Sequence, residues 1–257
     1  TTAMSPNLAR MAAQVAKVSG GTMFAMACLV HRAHAWTASG STNDELVNNL
    51  KRDGVITSPE VEAVMRKLDR ANYVKFKEEA YMDSPSQLGH GVTISAPHMH
   101  GHALERLRSH LVDRPGVRAL DVGCGSGYLT AAMALLAGPE GRVFGIDRVD
   151  DLVFDSERNV YRDQGDELGS QLSFSGGDGW TGLKMEGPYD AIHVGAAADT
   201  VPKALVSQLK KGGRMIIPVG KKNQELLEVD KAKDGTITQR SLMGVRYVTL
   251  VKPEGKS

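Results

Sequence analysis

Two stretches of the chain hold residues suited to chemistry. Thr93-Ile94-Ser95-Ala96-Pro97-His98-Met99-His100 sets two small hydroxyls ahead of a proline and two imidazoles. Asp121-Val-Gly123-Cys-Gly125-Ser-Gly127-Tyr128 is a glycine-rich run. Glycines permit a tight turn and let a ligand approach the backbone closely. A dinucleotide fingerprint has the spacing G-x-G-x-x-G. Here the third glycine falls one residue early, and Tyr128 stands where that motif wants glycine. The shorter spacing suits a ligand with adenosine but no pyrophosphate, of which S-adenosylmethionine is the common one. It disfavours a dehydrogenase.

Three carboxylates accompany the glycine run. Asp147 lies 20 residues past Gly127, where it can accept both ribose hydroxyls or cap a helix. Asp178, within Gly177-Asp-Gly179, can accept from an adenine amino group or shape a turn. Asp121 is a candidate ligand contact or a structural acid beneath the loop.

Absences narrow the methyl acceptor. The Asn/Asp-Pro-Pro-aromatic tetrapeptide that accompanies methylation of base amino groups is missing. Methylation of a pyrimidine carbon needs a nucleophilic cysteine, but Cys28 lies near the start of the chain and Cys124 within the glycine loop. A carboxylate is already ionised at neutral pH and needs no base. The task is then to align an oxygen with a sulfonium methyl and exclude water. Ser95 suits that task as a positioning hydroxyl, or it caps the following helix. His98 and His100 are site residues or ordinary helix-start histidines. Their i, i+2 spacing does not put them on one helix face, which argues against a metal pair.

The elements that must position these residues follow from periodicity. Residues 43–54 and 59–69 read as a helical pair, the second opened by a Thr57-Ser-Pro-Glu60 capping box. The Pro, Gly and Ser content of 81–91 predicts a loop. A helix follows Pro97, with Met99, Ala103, Leu104, Leu107 and Leu111 inward. From Val117 onward, apolar strands alternate with helices: VRALDV, RVFGID, QLSFSG, YDAIHVG and RMIIPVG are the strands. Gly212-Gly213 reads as a helix stop and Asp234-Gly235 as a hairpin turn before a last strand. This pattern predicts an open, doubly wound α/β sheet with helices on both faces. Its ligand should lie at the carboxyl ends of the strands.

Bulk properties exclude little but agree. The chain has 257 residues, 31 basic against 30 acidic, for a formal net charge of +1. That balance supplies no long-range field for nucleic acid or an anionic membrane. Two cysteines cannot build a Cys-rich zinc site or a disulfide framework, and no apolar run reaches the length of a membrane span. Residues 1–34 contain no acid and are rich in Ala and Met. They read as an organelle transit peptide, as a secretory signal with TMFAMACLV as its apolar region, or as a disordered extension.

YMDSPSQLG, TISAPHMH, LDVGCGSGYLTA, GIDRVDDLV, GDG, PYDAIHVGAAA, QLKKGGRMIIPVG and MGVRYV together resemble the protein-L-isoaspartate (D-aspartate) O-methyltransferase family, from about Trp36 to Val251. The resemblance implies a single class I S-adenosylmethionine methyltransferase domain over 35–257. It would comprise a helical N-terminal part, 43–111, and a Rossmann-like core, 117–251. It implies methyl transfer to the free carboxylate of L-isoaspartyl or D-aspartyl residues in damaged proteins, and a cytoplasmic monomer. The family's active-site serine falls on Ser95. Its cofactor contacts fall on Thr93, Ile94, Ser95, His100, the Gly123–Gly127 loop, Asp147, Arg148, Asp178 and Gly179. Thr93, Ser95, His98, Val194 and Gly195 would face the substrate peptide.

The chain departs from the family pattern in four places. Cys124 replaces a serine, and Trp180 an arginine. Tyr247-Val-Thr-Leu-Val251 lacks the usual proline and final threonine. Residues 1–34 lie outside the pattern, which leaves organelle targeting as an alternative to the cytoplasm. Competing readings are another S-adenosylmethionine enzyme acting on RNA or a small molecule, and a catalytically silent cofactor-binding module.

Overall fold

The computed structural model describes residues 38–252. The three readings of the first 34 residues therefore lie outside the described residues. Six helices are described: α1 (Asn43–Arg52), α2 (Pro59–Lys67), α3 (Pro97–Leu111), α4 (Tyr128–Ala137), α5 (Asp150–Gln164) and α6 (Lys203–Gln208). None is long and apolar enough to cross a membrane.

A seven-stranded sheet forms the centre. Its strands are β3 (Arg118–Val122), β4 (Arg142–Asp147), β5 (Leu172–Gly176), β6 (Tyr189–Val194), β7 (Leu209–Val219), β8 (Gln224–Lys231) and β9 (Ile237–Val245). Their spatial order is β5-β4-β3-β6-β7-β8-β9. The first five are parallel, and β8 and β9 return antiparallel. The chain runs outward from β3 through β4 to β5, then returns to β6 on β3's other side. The carboxyl ends of β3 and β6 thus flank the switch point, where α/β folds open a crevice for a ligand.

Alternation along the strands divides the apolar residues between two faces. Ala119, Val143 and Ala191 join a core with α1 to α4 and part of α5. Leu120, Ile146, Ile192 and Val194 join a second core with α6, Leu183 and Leu250. The helical pair of the N-terminal part packs into the first core, because Leu46, Leu50, Val61, Met65 and Leu68 are buried there with Leu104 and Leu107 of α3.

Three local expectations need correction. The segment 81–91 is not all loop: β1 (Ser86–Gly89) pairs antiparallel with β2 (Val92–Ile94). Ser58 does cap α2 in position, but its hydroxyl donates to Glu105 of α3, and Glu105 also accepts from the Thr57 and Ser58 N–H groups. A tertiary carboxylate has replaced the local capping box. Gly212 and Gly213 do not stop a helix. The helix ends at Gln208, and both glycines lie within β7, where the register against β6 shifts. A side chain at 213 would press on the Tyr189 and Asp190 carbonyls, so the composition reads as a helix stop when its cause is strand packing.

Candidate active site

The glycine loop leaves β3 and opens α4. Gly127 is the N-cap of α4 with φ of 81°, and an added Cβ would lie 3.1 Å from the Ser156 backbone of α5. Glycine therefore serves both the left-handed conformation and the close helix approach. The Gly123 and Cys124 N–H groups donate to the Ile146 carbonyl at 2.7 and 3.1 Å, which ties the loop to β4. Across the switch point, the Gly195 N–H donates to the Val122 carbonyl at 2.7 Å. A Cβ at Gly195 would stand 2.8 Å from the Gly123 carbonyl oxygen. The two loops thus pack backbone on backbone at the strand ends.

Asp147 closes β4 and is 8% exposed. Its carboxylate accepts from the Gly125 and Val149 N–H groups, each at 3.1 Å. It therefore shapes the glycine loop and the start of α5, while each oxygen keeps acceptor capacity for ribose hydroxyls. Burial raises its pKa, and those N–H bonds oppose the rise. Arg148 beside it is exposed. Asp178 accepts from the Trp180 N–H at 2.9 Å in a tight turn. Gly179 leaves no room for a side chain, because an added Cβ would meet Leu250 at 2.6 Å and Val122 at 2.8 Å.

Asp121 stands under the loop. It is 1% exposed, and its two oxygens accept from the Thr130 hydroxyl at 2.6 Å and face His193 Nδ1 at 2.8 Å. Both oxygens face protein partners, and the carboxylate is closed off from solvent. This geometry corrects the expectation of a direct ligand contact through that side chain and favours the structural alternative. Val194 needs a correction too: its side chain is 0% exposed and packs in the second core, so it offers a substrate no side-chain contact.

The surroundings of the 93–100 stretch are assembled from distant segments. Thr93 is half-buried and Ile94 buried on β2, and Leu88 of the same hairpin would lie 3.4 Å from a Cβ added at Gly125. Ser95 follows, half-buried. It does not cap α3, because Ala96 holds that position with no side-chain cap bond. Ser95 lies beside the Tyr247 phenol, whose pKa burial pushes up to about 12 while the serine opposes the rise. His98 is fixed by buried Asp83, which accepts from its main-chain N–H at 2.9 Å and meets Nδ1 at 2.8 Å. His100 is buried and stacks on Tyr128 with centroids 4.9 Å apart. Burial first, then the nearby Arg70 cation, hold its imidazole well below its ordinary pKa, hence neutral. Among the described residues no group of three or more His, Cys, Asp or Glu is arranged to hold a metal.

The segment after β9 straps across this region. Leu250 N–H donates to Ala197 O at 2.8 Å, and Ala197 N–H donates to Val248 O at 2.8 Å. Trp180 Nε1 donates to Leu250 O at 3.1 Å. The departure at Trp180 thus fastens the strap at Leu250, while Gln224 of β8 clamps Tyr247 itself, accepting from its N–H at 2.6 Å and donating to its carbonyl at 3.1 Å. Sequence reasoning gave no role to Arg70, Tyr247 or His193. Their contacts are long-range, and no local spacing marks them.

A glycine loop at the switch point, a buried carboxylate at the end of the next strand that braces this loop and a β5-β4-β3-β6-β7-β8-β9 sheet define a class I S-adenosylmethionine-dependent methyltransferase. The comparisons narrow the class. The profile of the protein-L-isoaspartate(D-aspartate) O-methyltransferase family matches residues 41–255, and the chain belongs to this family. It is 48% identical to protein-L-isoaspartate O-methyltransferase of Triticum aestivum, over 85% of this chain and 95% of that protein. It is 44% identical to protein-L-isoaspartate O-methyltransferase 1 of Arabidopsis thaliana, over 86% of this chain and 96% of that protein. A Plasmodium falciparum structure described as a protein-L-isoaspartate O-methyltransferase, in complex with S-adenosyl-L-homocysteine, is 40% identical. It superposes with a TM-score of 0.76, covering 83% of this chain and 100% of that one.

Proposed function

We infer that the chain repairs damaged proteins by methylating the free carboxylate of L-isoaspartyl, and of D-aspartyl, residues. The methyl ester then closes to a succinimide, whose hydrolysis returns part of the damage to normal aspartate. The observation that carries this reading is the family membership, joined to glycine loops at the β3/β6 switch point that pack backbone on backbone, too closely for side chains. When bound there, S-adenosylmethionine supplies a methyl on an electrophilic sulfonium.

The residues divide the work. Asp147 accepts from the ribose, Asp178 from the adenine amino group, and the Gly123–Gly127 loop gives close backbone approach, with Asp121 holding that loop from below. Gly179, Arg148, Ile94 and His100 complete the cofactor wall. Thr93, Ser95, His98 and Gly195 face the acceptor peptide. Ser95 orients a carboxylate that is already ionised, so no general base is required. Its role is alignment, the kind of contribution that shows in the rate of transfer. Val194 serves through its backbone alone.

The reading extends to one domain over 35–257, with residues 1–34 as an extension or targeting segment. It extends to a monomer in the cytoplasm with no nucleic-acid or membrane partner, supported by the family resemblance and the net charge of +1. Transfer of labelled methyl to two peptides that differ only in an Asp or isoAsp linkage tests the activity. Label on the isoAsp peptide alone, released by mild base, is the expected result. Label on both or neither contradicts the reading and turns attention to RNA and small acids.

A further inference from the structure

Arg70 is a buried cation with no carboxylate in ion-pair contact among the described residues; the buried Asp83 carboxylate, which pairs with His98, acts on it only from farther off. It opens a short 3-10 turn after α2 and is 1% exposed. Other partly buried guanidinium groups here have carboxylates, Arg214 with Asp230 and Glu228, and Arg108 with Glu60. Arg70 has no carboxylate within ion-pair distance among the described residues. Its Nη2 donates to the Ser95 carbonyl at 2.8 Å, Nη1 lies 3.5 Å from His100 Nδ1, and its Nε–H meets no acceptor. The guanidinium carbon sits 5.9 Å from the centroid of the Tyr128 ring. Burial lowers its pKa to about 10, so the group stays charged at neutral pH. His100 and Tyr128 beside it are neutral: burial holds the imidazole down and raises the phenol.

A fold that only needed to fill this space would do better with an apolar side chain, because an unpaired buried charge costs several kcal/mol. The charge is retained directly behind the main chain of Ser95. We propose that Arg70 is a positioning residue of the acceptor site: its guanidinium fixes the Ser95 main chain and provides the positive potential that draws the substrate carboxylate to that serine. The proposal rests on Ser95 being the acceptor residue. The negative charge of the carboxylate fades as the ester bond forms, so the potential acts on binding more than on the transition state. Its effect therefore belongs in KM rather than kcat.

The test compares two peptides binding to the enzyme saturated with S-adenosyl-L-homocysteine: one with an L-isoaspartyl α-carboxylate and one with the α-carboxamide in its place. The ratio of their Kd values reads the preference for charge, which a merely structural role would not change. Arg70→Gln keeps a donor for the Ser95 carbonyl and removes the charge. It is expected to cut the ratio roughly tenfold, the scale of one charge at intermediate dielectric, with the amide peptide's Kd within threefold. Arg70→Lys keeps the charge and is expected to retain the ratio within threefold. Equal weakening of both peptides by Arg70→Gln overturns the proposal, as does an unchanged ratio with weaker S-adenosyl-L-homocysteine binding, which would assign the charge to the cofactor. Removing an unpaired charge should not cost folding. Failure of both Arg70→Gln and Arg70→Met to fold therefore also overturns it. Ser95→Ala is run alongside: full methyl transfer by that variant defeats the Ser95 reading itself, whatever the Arg70 ratios.

Discussion

The proposed cofactor half and the proposed acceptor half of this site are built in different ways. The cofactor half is made mainly of backbone. Gly123, Cys124, Gly127 and Gly195 place main-chain groups at adjacent strand ends, and one carboxylate, Asp147, braces them. The half proposed for the acceptor is made of side chains from four separated segments that meet around Ser95 and His98: Arg70, Asp83, the 93–100 stretch and Tyr247. The first is rigid by local geometry. The second depends on tertiary contacts and on the strap that Trp180 fastens. The two halves should therefore fail separately, except where they meet.

They meet at Gly195, and the largest effect is expected there. Gly195→Ala would place a methyl against the Gly123 carbonyl, with backbone on both sides and no flexible side chain to yield. Overpacking of this kind costs about 1–3 kcal/mol. Calorimetry should show S-adenosyl-L-homocysteine affinity reduced by roughly up to a hundredfold, with transfer lost in parallel. Unchanged affinity would break the picture of two loops packed backbone on backbone.

A smaller effect, confined to the cofactor half, is expected from Asp147→Ala. Hydrogen bonds to a charged acceptor contribute about 1.5–3 kcal/mol, so cofactor affinity should weaken roughly tenfold or more while peptide KM holds. In the parent enzyme the same carboxylate gives the affinity a sign with pH. Its pKa is raised by burial, so cofactor binding should decline in mild acid, earlier than for an ordinary aspartate, as the carboxylate is protonated. An affinity flat through that range, measured by titration at constant ionic strength, would remove Asp147 from the ribose site.

The smallest effect concerns α3, which carries the acceptor octapeptide at its start. Burial, then the Arg214 cation, lower the His110 pKa to about 4, against about 6.5 in an unfolded chain. The folded state thus favours neutral His110. This contribution is present above pH 6.5 and is lost as pH falls from 6.5 toward 4. His110→Gln should flatten the decline in Tm across that window by about 2–4 °C, the shift that ~1 kcal/mol produces in a domain of this size.

The same contrast explains what the sequence disclosed. Strands β3 to β7, helices α3 and α5, and the glycine loop follow short-range rules of periodicity, proline placement and glycine spacing, and their residues announce them. Asp121 was ambiguous in the sequence because a carboxylate at the end of a strand can face a ligand or a buried histidine. Only the fold brings His193 to it across 72 positions. The capping box at Thr57 failed because Glu105, 47 positions from Ser58, reaches its hydroxyl first. Arg70 had no local signature, and the stretch that holds Tyr247 gave no sign of Ser95, since each reaches that serine from another part of the chain.

The most direct test of separable halves is Ser95→Ala, with S-adenosyl-L-homocysteine affinity and methyl transfer to an isoaspartyl peptide measured on the same preparation. The account predicts cofactor affinity within about twofold of the parent and transfer slowed roughly tenfold to a hundredfold, the scale of lost alignment. Loss of cofactor affinity in a folded variant, or transfer at the parent rate, would contradict it.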